Sequence, residues 1–294
     1  MAEIFGFLNL NKPQGMTSHD VVATVRRGLH IKKVGHAGTL DPMADGVLVI
    51  CLGGATRLSE YVMQSTKRYR ARVHLGVTTD TYDAEGEVQL IRDAGHITRE
   101  HVQSSLRAFL GDIRQIPPMY SAIKQGGRKL YDMARSGQIV EREARLVRID
   151  SLELIEWSSP EFVLDVTCNS GTYIRSLAYD IGESLGVGAH LTALTRLASG
   201  YFILENAVSL HTLMGSENWQ QHLIPPQAAL SDWPAARLRE SDVDHIRHGR
   251  AVPIGDTLFN GLGFAYSAEG DLIAIVQAVD GLLRPHKVFL QVGK

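Results

Sequence analysis

The chain has 294 residues, 44% of them hydrophobic and 21% charged, which suits one large domain or a large one with a small companion. No apolar run reaches the 18 or so residues that a membrane-spanning helix needs, and the first five residues lack the basic region and apolar core of a signal peptide. The formal net charge is −2, so a highly charged partner would have to be met by local patches rather than by the chain as a whole.

Residues 5–11 read as a short strand that stops at Lys12-Pro13. Thr17 or Ser18 caps a helix whose apolar positions are Val21, Val22, Val25 and Leu29. Arg26 and Arg27 at its end suit the helix dipole. Residues 35–46, GHAGTLDPMADG, form a Gly-rich polar loop that runs straight into Val47-Leu48-Val49-Ile50, the start of a buried strand. Its glycines permit backbone angles closed to other residues and the close approach of another molecule. Pro42 biases Asp41 toward extended backbone, which keeps that carboxylate out of a helix interior. On these residues alone Asp41 fits two roles. It is a turn cap, because Asp-Pro opens turns, or an acid held at the lip of a cleft, because loops on rigid scaffolds carry catalytic groups. Asp45, the second carboxylate of the loop, reads as a loop or surface acid.

A helix is expected over about residues 56–64. Residues 68–75 alternate: Tyr69, Ala71, Val73 and Leu75 face one way, and Arg68, Arg70, Arg72 and His74 the other, a half-buried strand with a basic outer face. Residues 80–86 make a turn-rich link to a strand near 87–91, and an amphipathic helix follows over 101–110. Residues 112–149 are a basic excursion around Pro117-Pro118, either a mobile insertion that closes on a substrate or a plain hairpin extension. Phe162, Leu164 and Val166 alternate as a strand. A helix from Tyr173 buries Ile174, Leu177, Ala178, Ile181 and Leu185. Pro225, Pro226 and Pro234 mark a boundary between a domain over 1–233 and a small β-rich one over 234–294, with strands at 263–266, 272–278 and 287–292. Cys51 and Cys168 each end an apolar segment and read as buried small residues, not as a disulfide or metal ligands. With no leader sequence, the expected address is the cytoplasm. The twelve histidines are scattered and show no metal-ligand spacing.

Residues 199–294 hold ten acids and seven Lys/Arg, which leaves the rest slightly positive. The bases cluster at Arg26, Arg27, Lys32 and Lys33, and again at Lys67, Arg68, Arg70 and Arg72. Residues 124–148 add seven bases against three acids. Each cluster alone reads as a solvated surface; three around the same motifs point to RNA phosphates.

The loop resembles the GH-x-G-x-LDP-x-A-x-G motif of the TruB-type tRNA pseudouridine-55 synthases. Four more segments agree in that family's order: Asn11-Lys12-Pro13-Gln14-Gly15-Met16-Thr17-Ser18, Lys67-Arg68-Tyr69-Arg70, Pro117-Pro118-Met119-Tyr120-Ser121-Ala122 and Gly171-Thr172-Tyr173-Ile174-Arg175-Ser176. The resemblance is strong to about residue 200 and weak beyond. It implies an α+β fold: a catalytic domain built on a mixed or antiparallel sheet, then a small PUA-like RNA-binding domain. It also implies an isomerase that turns uridine-55 in the T arm of tRNA into pseudouridine. No cofactor is implied, since nothing is oxidised and no group is donated. The partner is tRNA, with no membrane and no obligate protein partner, and the enzyme is a monomer.

By the same resemblance Asp41 is the essential carboxylate and Arg175 the cation that keeps it ionised. Tyr69 stacks on the uracil and serves near the proton transfer, and Tyr173 has a weaker claim on the same pocket. His36 fills the space left by nucleotides taken out of the stack. Asp83 orients the substrate or its partner residues, Tyr120 packs beneath the site, Leu194 walls the pocket, and Lys67 and Arg68 meet the RNA. Read without the family, Tyr69, Tyr173 and Leu194 are core residues, Arg175 a surface arginine and His36 a loop histidine. Asp45 departs from the family, which often has an uncharged residue there. Two other functions compete: an RNA-binding protein that folds tRNA without catalysis, and a guide-RNA-dependent synthase, against which the short C-terminal unit and the lack of long basic tails both count.

Overall fold

The computed structural model describes residues 4–289 except 122, 137, 139, 256 and 257. The first residues read for a leader, Ala122 of the proline motif and the end of the strand expected over 287–292 therefore lie outside the described residues.

The first strands set the frame. Strand β1 (Phe5–Lys12) pairs antiparallel with β3 (Asp45–Gly53) along its whole length, and the short β2 (Val34–His36) flanks β3 on the approach to the Gly-rich loop. β3 is apolar on both faces because both are covered. Val47, Val49 and Cys51 enter one core cluster and Leu48, Ile50 and Leu52 another. The second cluster receives helix α1 (Ser18–Gly28) through Val21, Val22 and Val25. Thr17 caps that helix, its hydroxyl accepting from the Asp20 amide while the Asp20 carboxylate accepts from the Thr17 amide. A 3-10 turn and the short helix α2 (Ser59–Met63) then lead into β4 (Lys67–Leu75), which alternates as expected.

After β4 come a small hairpin, β5 (Val77–Thr79) with β6 (Val88–Ile91), helix α3 (Arg99–Leu106) and strand β7 (Gly111–Gln115). The excursion that follows carries a second small hairpin, β8 (Lys124–Gln125) with β9 (Arg128–Lys129), and helix α4 (Leu130–Arg135). It returns as the 14-residue strand β10 (Arg145–Ser158), which pairs with both β7 and β11 (Glu161–Cys168). The excursion is therefore shorter than the expected 112–149. Both of its ends belong to the sheet, because Arg145 to Ile149 lie opposite Gln115 to Gly111. Helix α5 (Ile174–Ser184) and the long strand β12 (Ala189–Ser199) follow, then β13 (Phe202–Ile203), β14 (Val208–Ser209), α6 (Leu210–Met214) and α7 (Pro226–Ala229).

The main sheet has ten strands. Its path runs β14-β1-β3-β12-β4-β11-β10-β7, with β2 and β13 at its sides. It is mixed: β1/β14 and β3/β12 are parallel, and the remaining pairs are antiparallel. Helix α5 lies on the face lined by Ala71, Val73, Leu164 and Val166. A second, five-stranded sheet is built from β15 (Ala235–Arg237), β16 (Val252–Pro253), β17 (Gly261–Tyr266), β18 (Leu272–Val279) and β19 (Leu282–Val288), with helix α8 (Glu240–Arg247) packed against it. The helix expected over 101–110 instead starts at Arg99 and gives way to a 3-10 turn at Arg107, and the last strand begins earlier than expected, at Leu282. Among the described residues no helix is long and apolar enough to cross a membrane.

Candidate active site

The Gly-rich loop leaves β2 at His36 and enters β3 at Asp45, so Asp41 sits where the loop turns back into the sheet. The loop is held from three sides. Ser18, fully buried at the start of α1, donates its hydroxyl to the Leu40 carbonyl and accepts from the Leu40 amide. The equally buried Lys12 at the end of β1 donates to the carbonyls of Pro13, Met16 and Pro42. From β12, Arg196 donates to the carbonyls of Val47 (2.6 Å), Gly38 (3.0 Å) and Thr39 (3.4 Å). Gly46 has to be glycine: its φ is +96°, and a β-carbon there would collide with the Arg196 backbone.

Arg175 reaches Asp41 from the first turn of α5. Its Nε lies 2.9 Å from Asp41 Oδ2, and its Nη2 donates to Oδ1 at 3.1 Å, a two-pronged pair. The same guanidinium donates to Asp83 Oδ2 at 3.3 Å and to the carbonyls of Thr81 and Tyr120. The Arg175 and Asp83 side chains are only 6% and 3% exposed, whereas Asp41 remains 34% exposed. One buried cation is thus shared by a buried carboxylate and by one that opens to solvent. Burial pushes the Asp41 carboxyl up from its ordinary value; Arg175 opposes that push and Asp83 adds to it. Asp83 has its remaining oxygen bonded to the Thr81 hydroxyl and the Glu85 amide.

Tyr69 packs against the core beneath α5. Burial pushes its phenol up, Arg196 opposes this, and Asp41 is near enough to raise it further. Tyr173 precedes α5, its amide bonded to the Gln115 side chain, and its half-buried phenol is also raised by burial. Tyr120 contributes its carbonyl to Arg175 and directs its hydroxyl at Asp80. His36 meets the His19 ring edge to face at 5.3 Å. Burial first, then His19 and Arg196, lower it to about 4, so the ring is neutral at physiological pH. Leu194 lies on β12 opposite Ala71 and is buried in the same core cluster as Tyr69.

Two expected RNA contacts are placed elsewhere. Lys67 is buried, and its ammonium donates to the carbonyls of Met63 and Ser65 at 2.5 Å, so it closes the α2–β4 turn instead of facing a substrate. Arg68 is on the strand face opposite Tyr69 and is paired with Asp165, which also holds Arg70. Asp45 is half-buried rather than a surface acid; one oxygen meets Gln14 at 3.4 Å and the other finds no partner among the described residues. Sequence pattern does not single out Lys12 or Arg196 as site residues. Lys12 lies in one of the motifs that carry the resemblance, and Arg196 follows two residues after Leu194.

An aspartate on a loop feeding a mixed sheet is answered by a helix arginine, and the phenols of Tyr69 and Tyr173 lie near enough to feel its charge, the arrangement that the resemblance to the pseudouridine synthases implies. Comparison with known proteins agrees. The model of the TruB family pseudouridylate synthase N-terminal domain matches residues 26–174, and that of the tRNA pseudouridylate synthase B C-terminal domain matches 175–232. The chain is 49% identical to the tRNA pseudouridine synthase B of Symbiobacterium thermophilum, over 86% of this chain and 85% of that one. It is 44% identical to that of Thiobacillus denitrificans, over 98% and 96%. Among solved structures, a chain of a Cbf5-Nop10-Gar1 complex superposes with a TM-score of 0.78 at 29% identity, covering 97% of this chain and 85% of that one. The chain belongs to the TruB family of pseudouridine synthases.

Proposed function

We propose that this enzyme isomerises uridine-55 in the T arm of tRNA, in the cytoplasm, as a stand-alone monomer, with Asp41 as its essential carboxylate. The observation that carries the reading is the Asp41–Arg175 pair: a partly open carboxylate gripped from behind by a buried guanidinium, in a chain of this family. The reaction breaks the bond between N1 and the sugar and makes one between C5 and the sugar. The C5 proton leaves and N1 takes one up, so atoms and electrons balance without a cofactor. The target base has to leave its stack to reach Asp41. Asp41 acts at the sugar–base bond, Tyr69 stacks on the loosened uracil close to the proton transfer, and Leu194 and Tyr173 complete the wall. Neutral His36 occupies the space of the extruded nucleotides, Asp83 and Tyr120 hold Arg175, and the excursion between β7 and β10 closes over the RNA.

The test is unmodified tRNA transcript carrying tritium at uridine C5, with release followed and the modified position mapped. Release from the T-loop uridine, lost in Asp41→Asn while tRNA still binds, is the expected result. Tight binding without release would overturn the reading in favour of an RNA-folding protein. Release with no other protein or RNA present excludes a guide-dependent enzyme.

A further inference from the structure

Tyr82 holds the left-handed backbone conformation, with a φ of +64°. That region suits glycine or asparagine and is unfavourable for an aromatic residue unless the surroundings impose it. Here they do. The Tyr82 amide donates to the Thr79 carbonyl, and its own carbonyl accepts from the Leu191 amide of β12. Its ring lies nearly parallel to that of Tyr179, with centroids 4.1 Å apart and planes 22° apart. Tyr179 is four residues after Arg175 on α5, so the two share one face of that helix. Asp83, the residue after Tyr82, is the buried carboxylate that Arg175 also holds.

We propose that the Tyr82–Tyr179 stack is a positioning device for the reaction, pinning the 79–85 turn onto α5 so that Asp83 and the Thr81 carbonyl fix the guanidinium of Arg175 against Asp41. Neither ring is a catalytic residue; both act through Arg175. The strain at Tyr82 is kept because the side chain that causes it also anchors the turn. The inference rests on the assignment of Asp41 and Arg175 made above.

If the anchor is lost, Arg175 holds Asp41 less tightly, and Asp41 keeps its proton to a higher pH. The charged and titratable groups around Asp41 are Arg175 from α5, Asp83 and Glu85 from the turn, Lys12 from β1, and the phenols of Tyr69 and Tyr173. Of these, only the turn and α5 are joined by the stack.

The experiment compares Tyr82→Gly, Tyr179→Leu, Tyr82→Phe and Tyr179→Phe with the unaltered enzyme. Single-turnover tritium release from tRNA is measured across pH, together with tRNA affinity and thermal unfolding. Tyr82→Gly is the decisive variant, because glycine accepts the backbone and the protein keeps its fold. Expected is a folded protein with unchanged tRNA affinity and an acid limb moved upward by about one pH unit, a tenfold loss on that limb. Tyr179→Leu should move the limb in the same direction, and both phenylalanine variants should restore it. An unaltered pH profile and rate in a folded Tyr82→Gly protein would overturn the inference. Asp41→Asn separates the two levels. If it is inactive while Tyr82→Gly behaves as the unaltered enzyme, only the positioning role fails; if it is active, the assignment of the site fails as well.

Discussion

At Asp41 the structure sets function against stability. The carboxyl is raised by burial more than Arg175 can offset, with Asp83 adding to the rise. Catalysis by the carboxylate therefore falls away as pH drops through a value above the ordinary aspartate range, and the acid limb of single-turnover isomerisation should lie there. The same shift has a consequence for folding. Asp41 binds its proton more tightly folded than unfolded, so its contribution to stability rises as pH falls through the window between the two values and is unfavourable at neutral pH. Asp41→Asn should abolish turnover while leaving the melting temperature at pH 7 unchanged or higher; a clear loss of stability would show that the Arg175 pair outweighs the burial. Asp41 itself can be picked out in the sequence, since Pro42 and the glycines mark it as a loop acid. The burial of Arg175 cannot, because position 175 lies beside the apolar stripe of α5 and its cover comes from the turn at 81–83 and the carbonyl of Tyr120, both distant in sequence. Lys67 misleads by its company. Grouped with Arg68 it looks like part of a basic cluster, yet the alternation through 67, 69, 71, 73 and 75 already puts it on the inner face.

Among the elements, the loop over 35–46 owes its shape to a strand that local pattern hides. Strand β12 is a central member of the sheet, but its residues, AHLTALTRLAS, do not alternate cleanly, and its pairing with β4 is interrupted by irregularities between Leu191 and Ala193 and between Arg196 and Ala198. Arg196, 1% exposed, lies between the two interruptions and its side chain runs under the loop. The loop and its following strand are legible because glycines, Asp-Pro and an unbroken apolar run are local signals. Their support is not, since it depends on how β12 lies beside β3. Arg196→Met keeps much of the side chain's volume and removes its donors, leaving the carbonyls of Gly38, Thr39 and Val47 in poor company. The expected cost is about 3 kcal/mol or more, read by equilibrium urea unfolding, together with loss of isomerase activity. Wild-type stability in that variant would mean that water or another donor serves the three carbonyls.

The whole molecule is joined more closely than a chain with a tethered appendage. The second sheet starts at Ala235, and its residues Phe264, Leu272 and Ile275, with Phe289, share a core cluster with Phe7, Val47 and Val49 of the main sheet. Arg57 lies over the Phe289 ring, and Lys287 pairs with Glu60 beside Tyr61. Strand alternation in the sequence shows that one face is covered without showing what covers it, so this shared core cannot be read in advance. Charge is distributed on the same scale. The arginines of β4 are answered by acids on their own face: Arg68 and Arg70 by Asp165, Arg72 by Glu156 and Glu161. That face lies behind the sheet from Tyr69, so a tRNA presented to Asp41 does not need it. Replacing Arg68 and Arg70 together by alanine should therefore leave tRNA affinity and its salt dependence unchanged. If either arginine did neutralise a phosphate, its removal would flatten the slope of log affinity against log salt by roughly 0.7 to 0.9. A slope reduced by about twice that amount would place the outer face of the sheet against the RNA and make the arginine cluster a binding surface after all.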